Sequence, residues 1–250
     1  NINENTTWDA ASAVLAETVH VIEGNALTIA AGTQLKAAAN VELVVEPGGK
    51  LFVQGAEGNP VVFSSDAAVP GSWKGIRFEG TRSTADELVI EHAIIEYAEK
   101  GLSIIGSSSN NRVKATARHT IVRHNEYGVY LWGANGYSSD YQPYITFVDG
   151  ALYGNTSSNY YTDNFSYQAS YAITIDATGN WWGTSVPSEI SATIWDKVDH
   201  TKAASINFGN YLASENGETI VSYAGNINEN TTWDAASAVL AETVHVIEGN

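Results

Sequence analysis

The chain contains no cysteine and no methionine, only five prolines, and 12 basic residues against 28 acidic ones. The lack of cysteine removes disulfides, thiolate catalysis and thiolate metal sites together. It does not locate the protein, because a core of this size needs no covalent staples even outside the cell. The shortage of basic residues argues against nucleic acid as a partner, since phosphate binding needs a positive surface. The net charge of −16 favours solubility and mutual repulsion, and it suits salty or calcium-bearing water in which cations screen the surface. No apolar run reaches the length of a membrane-spanning helix. What remains is a polar, weakly charged texture rich in Gly, Ser, Thr, Asn and Tyr, and that texture fits a secreted or cell-surface protein.

One feature outweighs composition. Residues 1–25, NINENTTWDAASAVLAETVHVIEGN, recur letter for letter at 226–250. Diverged duplications drift at surface positions, so identity that extends to Asn, Thr and Glu marks recent duplication, homogenisation or engineering. Residues 1–225 therefore read as one complete module, and 226–250 as the start of the next identical one.

Within the module, short β-branched runs punctuated by Gly or Asn dominate from residue 18 to residue 176, among them TVHVIEG, ALTIAAG, KLFVQG and GIRFEG. Such runs predict strands joined by turns. They recur in register: HAIIEYAEKGLSIIG at 92–106 aligns without a gap on HTIVRHNEYGVYLWG at 119–133, an offset of 27. The alignment superposes His92 on His119, Ile94 on Ile121 and Gly101 on Gly128. A further step of about the same size carries Gly128 to Gly154. A recurrence near 26 residues with strand and turn positions preserved predicts a coil-stacking solenoid of roughly eight or nine coils. A face-packed sandwich explains the alternation but not the matched glycines. One segment departs from the pattern, SVPSEISATIWDKVD at 185–199, where Ile190, Ile194, Trp195 and Val198 fall at helical spacing after Pro187. It predicts a helix over 187–198 capped by Ser188.

Three stretches, VPGSWKGIRFEG (69–80), IDATGNWWGT (175–184) and SEISATIWDKVD just after it, resemble the right-handed parallel β-helix repeat proteins of the pectate-lyase-like superfamily, above all the extracellular and cell-surface members without known catalysis. The opening TTWDAA…VHVIEGNALTIAAGTQL is similar to the first coils of such domains. The resemblance implies an all-β, right-handed parallel β-helix with one short helix packed near its C-terminal end. It also implies that Trp73, Trp181, Trp182 and Trp195 are structural. Family functions range from polysaccharide cleavage to inert stalks, so function rests on sites.

No catalytic constellation is legible. Elimination chemistry needs an Arg base beside a calcium held by several carboxylates, and hydrolysis needs converging Asp/Glu pairs. The basic cluster Arg112, Lys114, Arg118 and Arg123, with His119 and His124, faces few carboxylates in sequence. Stacking Glu96 beneath Arg123 predicts a ladder of surface ion pairs instead. The expectation is a protein that is not an enzyme. No metal site is expected either: Asp140, Asp149, Asp163, Asp196 and Asp199 are scattered without calcium-loop spacing. A Ca²⁺ held between loops is compatible with the composition but indicated by no motif, and no cofactor is expected.

Ten of the 13 tyrosines lie between Tyr127 and Tyr171. Tyr130, Trp132, Tyr137, Tyr141, Tyr144, Tyr160 and Tyr161 are the candidates for a ligand or lateral contact surface, since aromatics in polar loops stack on sugar rings or anchor protein contacts. Packing of a loop over its own coil explains them equally well. Sequons at Asn5, Asn155, Asn164 and Asn230 are candidate glycosylation sites. Trp8, Val19, Val21, Ile206, Phe208, Ile220, Val221 and Trp233 are candidates for the joint between modules. The functional expectation is a structural repeat of an extracellular fibre or surface adhesin, joined end to end with identical modules of the same chain or of a neighbouring subunit. The alternative is a polysaccharide-binding or polysaccharide-cleaving module using the loops of 127–171, for which loss of binding in Tyr141→Ala and Tyr144→Ala would speak.

Overall fold

The computed structural model describes residues 1–80, 88–106, 115–134, 142–165 and 173–220, together with the backbone of four short strands beyond residue 221. Of the residues singled out above, Arg112, Lys114, Tyr137, Asp140, Tyr141, Val221, Asn230 and Trp233 lie outside the described residues.

The chain winds into coils that stack in parallel. The first coil is β1 (Thr6–Trp8), β2 (Ala13–Leu15) and β3 (Val19–Val21); the second is β4 (Ala26–Ala30), β5 (Gln34–Ala37) and β6 (Glu42–Val45). The third is β7 (Lys50–Gln54), β8 (Val61–Ser64) and β9 (Trp73–Glu79); the fourth is β10 (Leu88–Glu91), β11 (Ala93–Glu96) and β12 (Ala98–Ile105). The fifth is β13 (Ala115–Arg118), β14 (Ile121–Arg123) and β15 (Tyr127–Trp132); the sixth is β16 (Ile145–Val148), β17 (Ala151–Tyr153) and β18 (Ser158–Asp163). The seventh holds β19 (Thr174–Asp176), the helix α1 (Pro187–Ser191) and β20 (Ile194–Trp195), and β21 (Ser205–Asn207) opens an eighth. Corresponding strands pair in parallel to form long sheets of six, six and seven strands. The expected parallel β-helix is therefore present.

Alternation along each strand decides what points inward. In β4, Leu27 and Ile29 are fully buried, and register carries those positions through the stack: Leu27, Leu51, Leu88, Ala115 and Ile145 form one column, and Ile29, Val53, Ile90, Ala117 and Phe147 the next. Small and large residues compensate along each column, Ala117 lying against Phe147. The second sheet contributes Leu35, Phe63, Ile95, Val122 and Leu152. Burial of these columns, at about 25 cal/mol per Å² of apolar surface, is the main stabilising contribution.

Between the first and second sheets the chain turns on a single left-handed residue. His92, His119, Asp149, Gly179 and Asn210 take this position in successive coils, at φ of 47°, 49°, 56°, 68° and 52°. Behind the next turn an asparagine stack ties coils together. Asn125 accepts the Ala98 N–H through Oδ1 at 2.8 Å. Its Nδ2 donates to the carbonyls of Ile95 and Arg123 and to Oδ1 of Asn155 at 3.0–3.1 Å. Asn155 in turn donates to the Val122 carbonyl and to Oδ1 of Asn159. Buried backbone groups at the corner are thereby satisfied.

Two sequence expectations need correction. The offset of 27 holds between the fourth and fifth coils, where Ile94 pairs with Ile121. The next step is longer: Tyr127 pairs with Ser158 and Ile121 with Ala151, so Asn159, not Gly154, lies over Gly128. The helix is also shorter than 187–198. It starts at Pro187, has Val186 rather than Ser188 as its N-cap, and ends at Ser191. Ile194 and Trp195 then join the third sheet through Tyr160 and Tyr161, because β-pairing satisfies backbone groups that one more helical turn would have used. Val198, expected on the apolar face, is 62% exposed. Among the described residues no helix is long and apolar enough to cross a membrane.

Candidate functional site

Two surfaces stand out. The first is the open face of the opening coil. β1, β2 and β3 are each the terminal strand of their sheet; the outer edge of β3 is met by Ile2, which bridges to Val21, while the outer edges of β1 and β2 lack a strand partner among the described residues. Trp8, Ala13, Val14, Leu15, Val19 and Leu35 line an apolar concavity of about 460 Å³ there, and Val14 is 70% exposed. An unpaired strand edge beside exposed apolar side chains is a ready site for strand addition.

The repeated segment shows what such an edge accepts. β22 (Ser222–Tyr223) pairs in parallel with β24 (Val239–Leu240), Ser222 against Val239 and Tyr223 against Leu240. Val239–Leu240 is the copy of Val14–Leu15, the end of β2. β23 (Asn226–Ile227) pairs with β25 (His245–Val246), which reproduces in the copy the bridge between Ile2 and Val21 of the first coil. The residues expected at the joint divide accordingly. Trp8, Val19 and Ile220 are half-buried against the core, whereas Val21, Ile206 and Phe208 are fully enclosed.

The second surface is aromatic. Register aligns Tyr130 of β15, Tyr161 of β18 and Trp195 of β20 on the outer face of the third sheet. Tyr130 and Tyr161 stack at 4.9 Å and 4°, Tyr161 and Trp195 at 6.1 Å and 11°, and Tyr130 and Trp132 at 6.1 Å and 5°. Tyr127 meets Tyr130 and Tyr161 edge-on at 5.5 and 5.4 Å. Lys100 Nζ lies 4.7 Å from the centre of the Tyr130 ring, a cation–π contact at the foot of the ladder. At its side Asp163 accepts the Tyr161 hydroxyl at 3.1 Å and lies 3.0 Å from His200 Nδ1. Burial in the stack, then the charges of Tyr127, Asp163 and Glu99, push the Tyr130 phenol up to about 12. Burial, followed by the Asp163 charge, raises Tyr161 as well. Both phenols therefore stay neutral donors far above neutral pH.

The candidates read from sequence are thus partly reassigned. Tyr130, Trp132 and Tyr161 share one face, but on strands rather than in loops. Tyr160 is fully buried, because its register with Val129 turns it into the core. Tyr144 packs partly buried against the core. Trp195, expected to be structural, stands 39% exposed at the end of the ladder. Trp73 and Trp182 are buried, and the Trp73 indole donates to the Glu96 carbonyl at 2.9 Å; Trp181 is half-buried and bridges to Ala151.

The basic cluster faces more carboxylates than the sequence suggested: Arg123 Nε is 3.1 Å from Glu96, Arg118 is 3.6 Å from Asp149 and His119 is 3.6 Å from Glu91. Glu96 is also held by the Ser64 hydroxyl at 2.9 Å and is buried, while its partner Arg123 is half-buried, so the pair sits at the boundary of core and solvent. Of the sequons, Asn5 is exposed. The amides of Asn155 and Asn164 are engaged, the latter donating to the Gly133 carbonyl at 2.7 Å.

Residues 1–98 match the family model for the pectate-lyase like beta helix domain, and the later coils continue the same stack without interruption of the third sheet. The described residues form a parallel β-helix, and its first 98 residues are similar to the pectate-lyase like beta helix domain. Comparison with curated proteins and with solved structures gave no match.

Proposed function

We propose that the chain is a non-catalytic repeat module of an extracellular or cell-surface fibre or adhesin, whose modules join end to end. The observation that carries this reading is the pairing of Ser222–Tyr223 with Val239–Leu240. The strand that precedes the repeat lies along the copy of β2, and β2 itself has an open edge with Val14 exposed. In this reading the end of each module seats the first coil of the next. Stability in such arrays is a sum over nearest neighbours, so a missing neighbour is felt at the end coil.

Sedimentation velocity and thermal unfolding of residues 1–225 and 1–250 test the joint. The shorter chain is expected to self-associate or to melt earlier by at least about 2–4 °C, the shift for roughly 1 kcal/mol in a chain of this size. Equal melting temperature, solubility and monomeric state would overturn the reading.

A second reading, a polysaccharide-binding face, draws on the stacked Tyr130, Tyr161 and Trp195. The rings cover one another's faces within the stack, so a sugar would meet their edges and the exposed parts of Trp132 and Trp195, with the neutral Tyr130 phenol as a donor. Affinity electrophoresis against neutral and acidic polysaccharides should show retardation that Tyr130→Ala and Trp195→Ala abolish. Retardation that survives both substitutions removes the ladder from the account.

A further inference from the structure

We propose that Glu91, His92 and His119 form a zinc site that clips the fourth coil to the fifth. The proposal stands apart from the fibre reading and does not depend on it.

The corner between the first two sheets asks for a residue at positive φ and nothing more. Gly179 and Asn210 fill it in later coils, residue types that reach this region at little or no steric cost. His92 and His119 hold the same corner position one coil apart, and the backbone alone does not call for imidazole. Their rings stack at 4.6 Å and 10°, so two imidazoles present their nitrogens side by side. Glu91 precedes His92 and brings a carboxylate oxygen 3.6 Å from His119 Nδ1. One ligand atom from each of the three lies within 4.8 Å of the others. Tetrahedral zinc at about 2.0–2.1 Å from nitrogen and oxygen places its ligands roughly 3.4 Å apart. Rotation about the side-chain bonds of these partly exposed groups closes that difference.

The surroundings favour a cation. The rings open into a polar concavity lined also by Glu57, Asp149 and Glu215, of which Asp149 lies 3.6 Å from Arg118. Two imidazoles and one carboxylate, with water in the fourth position, make a borderline-soft donor set that suits zinc and is poor for calcium, which takes six or more oxygens. Ligands drawn from adjacent coils mean that bound metal stabilises the stacked state by mass action.

Calorimetric titration of ZnCl₂ into the untagged full chain tests the site, with His92→Asn and His119→Asn as variants, since Asn keeps the positive-φ corner. One zinc per chain is expected, with affinity reduced by about tenfold or more in each variant, and a zinc-dependent rise in melting temperature confined to the unsubstituted chain. Calcium should not compete. Should either variant fold poorly, zinc-induced shifts of the imidazole ¹⁵N signals in the unsubstituted chain decide, and they are expected at His92 and His119. Shifts at His20, His124, His200 or His245 instead, an unaltered affinity in the double variant, or no stoichiometric uptake would overturn the proposal.

Discussion

Tyr160 and Tyr161 are neighbours in sequence and opposites in environment. Tyr161 stacks in the outer ladder, while Tyr160 is fully enclosed and its hydroxyl has no hydrogen-bond partner among the described residues. Burial raises its ionisation well above the usual phenol range. A buried hydroxyl left unpaired costs the desolvation of that group, so Tyr160→Phe is expected to stabilise the fold by up to about 1 kcal/mol, read as a higher melting temperature. A loss of more than that would mean the hydroxyl is satisfied by water. The clustering of tyrosines was legible from composition, but which ring faces out was not. A period-2 strand reverses every side chain on a one-residue shift, and the repeat step lengthens after Gly128. Nothing local in NYYTD tells the two tyrosines apart. His92 and His119 show the converse: their superposition was read from the 27-residue offset, and their rings do stack.

At the level of elements, the corners matter as much as the strands. Asn125 is fully buried, and its side chain satisfies the Ala98 amide and reaches the Ile95 and Arg123 carbonyls. Asn125→Ala strands several of these at once, and an unmade buried hydrogen bond costs about 1–3 kcal/mol. We expect a loss of about 3 kcal/mol in denaturant unfolding, with little change for the exposed Asn3→Ala as the control. A loss below about 1 kcal/mol would show that the corner rearranges to satisfy itself. The strands were legible because β-branched alternation survives in nearly every coil, and the Glu96–Arg123 pair followed directly from the offset. Asn125 was not singled out and Asn155 only as a sequon, since one Asn in an Asn-rich chain carries no periodic signal until the register is known. The helix was half legible: Pro187 marks its start, but the competition from the third sheet that ends it at Ser191 is a long-range effect absent from local spacing.

For the whole molecule, the parallel ladders bear on how it carries load. In a coil stack the backbone hydrogen bonds run along the long axis, so a pull on the two ends opens them one after another like a zipper, instead of shearing them all together. The covalent chain is wound like a spring around that axis, and each released coil pays out hidden length. A coil of 27 residues, the step from Ile94 to Ile121, extends by about 90–100 Å at 3.3–3.6 Å per residue. Single-molecule stretching should therefore give many small steps of that size at modest force, and one abrupt release of a whole module would contradict it. A thread built this way yields gradually and rewinds from whichever coils are still closed, so modules joined as proposed would make a soft, self-healing tether and not a rod that snaps.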